Sequence, residues 1–319
     1  RPVPIIPGRT HLLFMYAGLC YSYGRDFMLQ GERRMPVKIE VDPALCTGCM
    51  RCVQGGLWGD FKLGSGGKAE YTGDSGHCAA VCSAGAVRHS SFPGTPEEID
   101  PSAKPSYAEL MSLLKLRRSH RSFKKDPVPG EVIDQLLNAG VLAPSAVNRQ
   151  TIQYSIIRDP GTLEQISKRS LESLRRVVQM SKSPVGRLFI RLAAKKAYKD
   201  VLGMVPKMER IVHASAGGQD YILYNAPCLI LLHAPKTDSM AGENAAFNAA
   251  NILLAAETLG LGACLIGFVT EAAGMDSSIL RLASIPGERA VYSALVVGYP
   301  AVEYRRAAPK KPIAAAFIR

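Results

Sequence analysis

The feature that most constrains this sequence is a dense group of cysteines near its N-terminus. Five of the eight cysteines lie between Cys46 and Cys82. Disulfide frameworks of secreted proteins are spread through the fold, so this crowding indicates another use of the thiols. Residues 46–52 have the spacing C-x2-C-x2-C, with which one short loop directs three thiolates and several backbone N–H groups at a single metal cluster. The segment is therefore predicted to hold such a cluster.

A second segment, residues 77–87, reads HCAAVCSAGAV and resembles the end of a bacterial ferredoxin motif, with Ser83 in place of the usual proline. In bacterial ferredoxins the fourth cysteine of each motif serves the other cluster. Aligned on that pattern, the positions that lack cysteine all belong to one cluster; they are Gly56, Thr72 and Ser75. The cysteines that remain form the full ligand set of the other cluster; they are Cys46, Cys49, Cys52 and Cys82. The resemblance thus implies one 4Fe–4S cluster in a ferredoxin-like domain, with Cys78 outside its ligand set.

Two other interpretations of the cysteines stay open. One is a zinc site, to which His77 and Cys78 could add ligands, although structural zinc sites prefer paired C-x2-C elements. The other is a remnant that no longer binds a metal. The length of the motif, with both of its flanks present, favours the iron–sulfur cluster.

The length of the chain and its proline-rich segment predict how it is divided into domains. At 319 residues it exceeds the usual single domain. We expect an N-terminal extension at 1–34, a ferredoxin-like iron–sulfur domain at 35–90, a proline-rich linker at 91–106 and a larger domain at 107–319. The first residue is Arg, so the extension is expected to be disordered, processed or mis-started; a signal peptide is the alternative.

The net charge of +12 favours anionic ligands such as phosphates and carboxylates. We do not expect a nucleic-acid partner, because the Lys and Arg residues lack interleaved aromatic side chains and no nucleic-acid-binding motif is present. We also expect no membrane partner, because the apolar run 11–21 is too short to span a bilayer.

Helical and strand patterns in the larger domain alternate in mixed order, which predicts an α+β fold. A helix is predicted near Pro129–Leu137, with others at Leu163–Val178 and Glu243–Leu259. Strands are predicted in the N-terminal domain and in the larger domain, at Val37–Val41, Thr151–Ile157, Cys228–Leu232 and Ala290–Val297.

Four segments of this domain resemble motifs of the nitroreductase family, in particular members with a fused N-terminal ferredoxin. Residues 117–123 read RRSHRSF, residues 143–150 read APSAVNRQ, residues 259–267 read LGLGACLIG, and residues 298–300 read GYP. The resemblance implies a mixed sheet flanked by helices, the cofactor FMN, and an intertwined homodimer with two flavins at its interface.

Residue roles follow from the same resemblance. Arg117, Ser119 and Arg306 are expected to bind the FMN phosphate, with Arg305 or Lys310 as substitutes for Arg306. Arg121 is expected near the pyrimidine edge of the flavin, where positive charge raises its reduction potential. Backbone close to the ring is expected from Ile266 and Gly267, and the flavin pocket of the opposite subunit from Pro144, Ser145 and Asn148. Thr151 and Ile152 replace the Pro-Trp that follows the family's second motif. No catalytic acid or base is predicted.

The resulting hypothesis is a cytoplasmic flavoenzyme. NAD(P)H or a low-potential donor, such as a redox protein, would supply electrons, and a nitroaromatic, a quinone or a similar small molecule would accept them. Two rivals remain: a non-enzymatic electron relay that docks on another redox protein, and a scaffold without cofactors. A specialised chemistry, such as reductive dehalogenation or flavin cleavage, also remains open.

Overall fold

The computed structural model of the protein describes residues 39–55, 61–63, 69–71, 76–92, 94 and 96–318. Contacts divide the chain into two compact units, with the boundary between Glu98 and Ile99. The predicted extension 1–34 and the positions aligned with missing cysteines lie outside the described residues. Within the described ranges, no helix is both long and apolar enough to cross a lipid bilayer.

The first unit consists of short elements around a small apolar cluster. Its elements are β1 (Ile39–Val41), α1 (Arg51–Gly55), β2 (Phe61–Leu63), β3 (Ala69–Tyr71), α2 (His77–Val81) and β4 (Val87–His89). Strand β1 pairs antiparallel with β4, and β2 pairs antiparallel with β3. Buried Cys78 and Val87 form the centre of the cluster, against which Val41, Cys52 and Cys82 pack. The predicted strand Val37–Val41 is thus present in its described part.

The second unit contains a four-stranded sheet. Its strands are β5 (Gln153–Ile157), β6 (Cys228–Pro235), β7 (Gly262–Leu265) and β8 (Arg289–Gly298). Its helices are α3 (Tyr107–Leu116), α4 (Gly130–Val141), α5 (Pro160–Ser181), α6 (Pro184–Ala194), α7 (Tyr198–Ala214), α8 (Ala241–Thr258), α9 (Gly267–Met275) and α10 (Ser277–Leu282). The strand order is β5–β6–β8–β7, and each of these neighbouring pairs is antiparallel. A parallel bridge between Ser119 and Ala263 adds the parallel element of this mixed α+β fold.

Helices cover both faces of the sheet, which explains why β6 is apolar along most of its length. Leu229 and Leu231 face a core that includes α5, α9 and α10. Cys228, Ile230 and Leu232 face the other core, which includes α4 and α8. Because successive residues of a strand point to opposite faces, only a strand buried on both sides needs such a continuous run.

The sheet has two ends that matter for the site. At one end of the sheet, Gly298 pairs with Gly262 and Val297 pairs with Cys228. We call this the Gly298 end. The Arg289 end is the one where Arg289 pairs with Pro235 and where His233 pairs with Gln153. From Cys228 to His233 the chain advances five residues, or about 17 Å at 3.4 Å per residue.

Candidate functional site

Four cysteines of the first unit line one cavity. They are the predicted ligands Cys46, Cys49, Cys52 and Cys82, and the rest of the lining is largely apolar. The loop that carries the first three turns through left-handed backbone at Gly48 (φ 68°) and Met50 (φ 61°). Cys78 does not line the cavity and is instead buried in the apolar cluster. The structure therefore brings together the four cysteines that the sequence pattern selected.

Backbone N–H groups point at the thiols of this cavity. The N–H of Ala86 donates to Cys82 Sγ over 3.3 Å. The pKa of Cys49 is lowered mainly by hydrogen bonding from the backbone N–H of Arg51, and to a smaller extent by the Thr47 side chain. Burial raises the pKa of Cys52, and the neighbouring sulfurs of Cys82 and Cys49 raise it further. These sulfurs are thus close enough to repel one another as thiolates.

Among the described residues, no group of three or more His, Cys, Asp or Glu side chains is arranged to hold one metal ion. A tetrahedral zinc ion with Zn–S bonds of ~2.3 Å requires its sulfurs to lie about 3.8 Å apart. A cubane cluster separates its cysteine sulfurs much further, because each sulfur binds a different iron.

In the second unit, the segment 117–123 lies beside β7 at the Gly298 end. Ser119 forms a parallel bridge with Ala263, and the N–H of His120 donates to the Ala263 carbonyl over 3.1 Å. Gly262 is required for this approach, since a Cβ there would lie 2.7 Å from Cγ of His120. Two of the four family-like motifs are therefore in direct contact.

The fourth motif packs against the other side of the same segment. Phe123 forms a bridge with Pro300, and the N–H of Ala301 donates to the Ser122 carbonyl over 3.0 Å. The carbonyl of Tyr299 accepts from the N–H of Lys124 over 2.8 Å. Three motifs that are far apart in sequence thus meet at the Gly298 end of the sheet.

Side chains from these motifs form a polar cluster around a buried thiol. Burial raises the pKa of the Cys264 thiol, and the neighbouring Arg121 and Ser119 lower it in part. Cys264 is 2% exposed and belongs to the core. The guanidinium carbon of Arg121 lies 6.0 Å from the centroid of the Tyr224 ring.

Sequence reasoning missed Tyr224 and the turn that holds it. Asp220 accepts hydrogen bonds from the N–H groups of Ile222 and Leu223 over 3.0 Å each, and from that of Asn225 over 3.2 Å. Tyr224 itself has left-handed backbone (φ 58°). Asp and Asn favour turns, so Asp220 and Asn225 could have predicted this turn from the sequence. Nothing in the sequence, however, links the turn to Arg121.

A second group of cations lies beside this cluster. Arg118 and Arg306 line one open pocket together with Arg305 and Tyr304. The guanidinium of Arg118 stacks over the Tyr304 ring at 4.7 Å from its centroid. The sequence motif included Arg118 without giving it a role. The structure places it, rather than Arg117, in this pocket with Arg306.

The second family-like motif lies at the opposite end of the sheet. The N–H of Ala146 donates to Asn244 at the start of α8 over 3.1 Å, and Ser145 Oγ accepts from the N–H of Gln150 over 3.1 Å. Just beyond the motif, Arg289 donates to the Thr151 carbonyl over 2.9 Å, which fixes the loop at the Arg289 end. Within one chain, Arg121 is therefore separated from the second motif, which contains Pro144, Ser145 and Asn148.

The histidines have structural surroundings. Arg289 Nε donates to Nδ1 of buried His233 over 2.8 Å. Burial and the charge of Arg289 together lower the pKa of His233 to about 4, so the ring is neutral. His120 packs edge-on against Tyr304, and its pKa is lowered mainly by burial. Neither arrangement identifies a catalytic acid or base.

Comparison with known proteins agrees with this geometry. A model of the nitroreductase family matches residues 114–299. An NADH dehydrogenase of Thermus thermophilus is 27% identical over 194 residues, which cover 59% of this chain and 84% of that protein. A nitroreductase with bound FMN from Desulfitobacterium hafniense has a TM-score of 0.50 at 17% identity, over 66% of this chain and 98% of that one. A nitroreductase with bound FMN from Bacteroides fragilis has a TM-score of 0.47 at 21% identity, over 66% and 97%.

The second unit thus has an α+β fold with a polar cluster at one end of its sheet, and the relatives that it matches are redox enzymes. The chain belongs to the nitroreductase family, and it is an oxidoreductase.

Proposed function

We propose that this oxidoreductase binds FMN and one 4Fe–4S cluster, and that it transfers electrons from NAD(P)H or a low-potential donor to a small acceptor. A nitroaromatic or a quinone represents the acceptor class, and the cytoplasm is the proposed location. The observation that carries the proposal is the meeting of residues 117–123, 262–264 and 299–306 at the Gly298 end, because it gathers guanidinium and hydroxyl donors beside one strand.

The donor set suits a phosphorylated, electron-rich ring. Arg118 and Arg306, which line one pocket, would bind the phosphate together with Ser119 and the neighbouring Arg117, because guanidinium groups match its geometry. Arg121, held by Tyr224, would lie near the ring, and Ile266 and Gly267 would contribute backbone beside it. When bound, FMN supplies the hydride and one-electron chemistry. The similar nitroreductase from Desulfitobacterium hafniense has bound FMN, which supports the assignment.

A homodimer would complete this site. Pro144, Ser145 and Asn148 lie at the Arg289 end, and the Arg289 and Gly298 ends are about 17 Å apart along β6. A two-fold axis would bring the Arg289 end of one subunit beside the Gly298 end of its partner. We therefore propose that each flavin site takes residues from both subunits.

The cysteine cavity fits a cubane in its donors. It offers four thiols and an apolar lining, with backbone N–H groups directed at Cys49 and Cys82. Hydrogen bonds to sulfur are one feature by which proteins tune such clusters. Cys46, Cys49, Cys52 and Cys82 would be the ligands. The role of these residues is to hold a carrier of single electrons in a ferredoxin-like unit.

Anaerobic turnover by the purified full chain tests the proposed activity. NADH, NADPH and dithionite-reduced viologen would be offered in turn, with a nitroaromatic or a quinone as acceptor. We expect steady turnover with at least one donor, and a loss of at least about tenfold in kcat/KM for Arg121→Ala. Arg175→Ala, on the exposed face of α5, is the matched control and keeps the activity.

The rival of a non-enzymatic relay makes a different prediction in the same assay. A relay would accept electrons from the donor and pass them to a protein partner, but would not turn over either small acceptor. Rapid reduction of the protein without turnover would therefore support the relay and contradict the proposed enzyme.

A further inference from the structure

Helix α6 carries an exposed apolar stripe that the proposed redox site does not explain. Val185, Leu188, Phe189 and Leu192 are 55–65% exposed. Their spacing of three and four residues places them within an arc of about 100° on one side of the helix. A water-exposed helix face is normally polar, so this stripe indicates a surface that binds something.

The stripe is not the face by which α6 packs on its own domain. That face is formed by Gly186 and Ile190, both buried. Gly186 lies so close to the end of α5 that a Cβ there would be 2.1 Å from the Met180 carbonyl oxygen. Ser183 caps the helix by accepting from the N–H of Gly186 over 3.0 Å. The helix is therefore preformed and attached, with its apolar stripe directed away from the core.

The residues around the stripe are strongly basic. Residues 182–199 contain six Lys or Arg and no Asp or Glu. Arg191 lies on one flank of the stripe, and exposed Lys195 and Lys199 follow the end of the helix. Arg187 points elsewhere and donates from Nε to the Ser181 carbonyl over 2.6 Å. Lys182 is the member of this group that forms an ion pair, with Glu209 over 3.3 Å. An apolar stripe flanked by uncompensated positive charge fits an occupant that is both apolar and anionic.

A second copy of the chain does not have this chemistry. If the stripe lay on the two-fold axis of a dimer it would meet itself, and the cations flanking one stripe would lie against those flanking the other. Such like-charge contacts oppose association. A bilayer with anionic headgroups instead offers acyl chains to the stripe and negative charge to its flank.

We propose that α6 binds the surface of an anionic lipid bilayer, with Val185, Leu188, Phe189 and Leu192 inserted at the level of the acyl boundary. Arg191, Lys195 and Lys199 would contact the headgroups. The expectation of no membrane partner concerned segments that span a bilayer, whereas this helix would lie in the plane of the surface. The inference does not depend on either cofactor.

Vesicle sedimentation with the anaerobically purified full chain tests the proposal. One set of vesicles contains equal parts of phosphatidylcholine and phosphatidylglycerol, and the other contains phosphatidylcholine alone. We expect clear binding to the first set, much weaker binding to the second, and a loss of binding as salt is raised.

Two variants separate the contributions of the stripe and the charges. Replacing Leu188, Phe189 and Leu192 together by Gln is expected to weaken binding to anionic vesicles by at least about tenfold. Arg191→Gln combined with Lys195→Gln is expected to remove the preference for anionic lipid. All five side chains are exposed, so both variants keep the thermal midpoint of the parent protein.

A matched control changes exposed apolar residues outside the helix. Ile99→Gln combined with Met275→Gln removes apolar surface of similar exposure and is expected to bind vesicles as the parent does. Absence of binding to anionic vesicles, or binding that survives the triple substitution, overturns the proposal. Equal binding to both vesicle sets overturns its electrostatic part. A change in oligomeric state caused by the triple substitution, without vesicle binding, would assign the stripe to a second copy instead.

Discussion

At the scale of single residues, Gly262 is the position where two motifs come closest. A Cβ at this position would lie 2.7 Å from Cγ and 2.8 Å from Cβ of His120. We predict that Gly262→Ala forces the segment 117–123 away from β7 and costs roughly 1–3 kcal/mol of stability. Thermal unfolding measures this loss, and FMN titration of the apoprotein should show weaker binding, because Ser119 and Arg121 belong to the displaced segment.

Gly274→Ala provides the matched control for this substitution. Gly274 lies in α9, where an added Cβ meets nothing within 4 Å. The same change there is expected to leave the thermal midpoint unchanged or to raise it slightly, because Ala favours the helix. Equal thermal midpoints for the two variants would contradict the close approach at Gly262.

His233 makes the stability of the protein depend on pH. Its pKa is about 4 in the folded protein, against an ordinary value of 6.5, because burial and Arg289 disfavour the charged ring. Between these values the unfolded chain binds a proton that the folded protein does not. Stability should therefore be complete above pH 6.5, fall as the pH drops toward 4, and level off below it, with a loss of at most about 3 kcal/mol.

The variant His233→Gln tests this prediction because Gln keeps a hydrogen-bond acceptor for Arg289 but cannot be charged. Thermal midpoints measured from pH 7 to pH 4 should fall less steeply for His233→Gln than for the parent protein. His213→Gln, at an exposed position, should retain the steep dependence. Identical pH profiles for His233→Gln and the parent would show that this histidine is not responsible.

At the scale of structural elements, the turn from Asp220 to Asn225 positions Tyr224 beside Arg121. The Asp220 carboxylate accepts from three backbone N–H groups of the turn and from Ser167 Oγ over 2.7 Å. Asp220→Ala leaves these donors without their acceptor, which we predict costs about 1–3 kcal/mol. Asp200→Ala, an exposed Asp in α7, is the control and should change the thermal midpoint little.

A second measurement distinguishes this positioning role from a general loss of stability. If the turn acts through Tyr224 and Arg121, Asp220→Ala should also shift the reduction potential of bound FMN, since the guanidinium near the ring would lose its support. A lower thermal midpoint with an unchanged potential would limit Asp220 to a structural role.

The elements that could be predicted from the sequence are those with a strong local pattern. The apolar run at Cys228–Leu232 became the buried part of β6, and the predicted helix at Leu163–Val178 lies within α5. The order of strands could not be predicted, because β6 pairs with β8, about sixty residues later, and no local signal encodes that choice. For the same reason the sequence supplied Arg121 but not its partner Tyr224.

At the scale of the whole molecule, the two halves of the proposed flavin site lie at opposite ends of the sheet. If each site combines two subunits, Arg121→Ala and Asn148→Ala damage different halves. A heterodimer of these two variants would contain one site with both changes and one intact site. We predict that co-expression restores FMN binding to about one quarter of the parent level, from random pairing of subunits.

Each variant expressed alone is the control for this experiment, and each is expected to bind FMN weakly. A mixture that binds no more than the average of the two homodimers would contradict a shared site. It would then place all FMN ligands in one chain, against the separation of the Gly298 and Arg289 ends.

The central claim is that one chain holds both FMN and a single 4Fe–4S cluster whose fourth ligand is Cys82. Its most direct test is an anaerobic absorbance spectrum with iron, sulfide and FMN quantified per chain, for the parent, Cys82→Ala and Cys78→Ala. We predict about four irons and about one FMN per chain, iron lost with FMN retained in Cys82→Ala, and both retained in Cys78→Ala. About eight irons, zinc in place of iron, or absence of flavin would contradict this account.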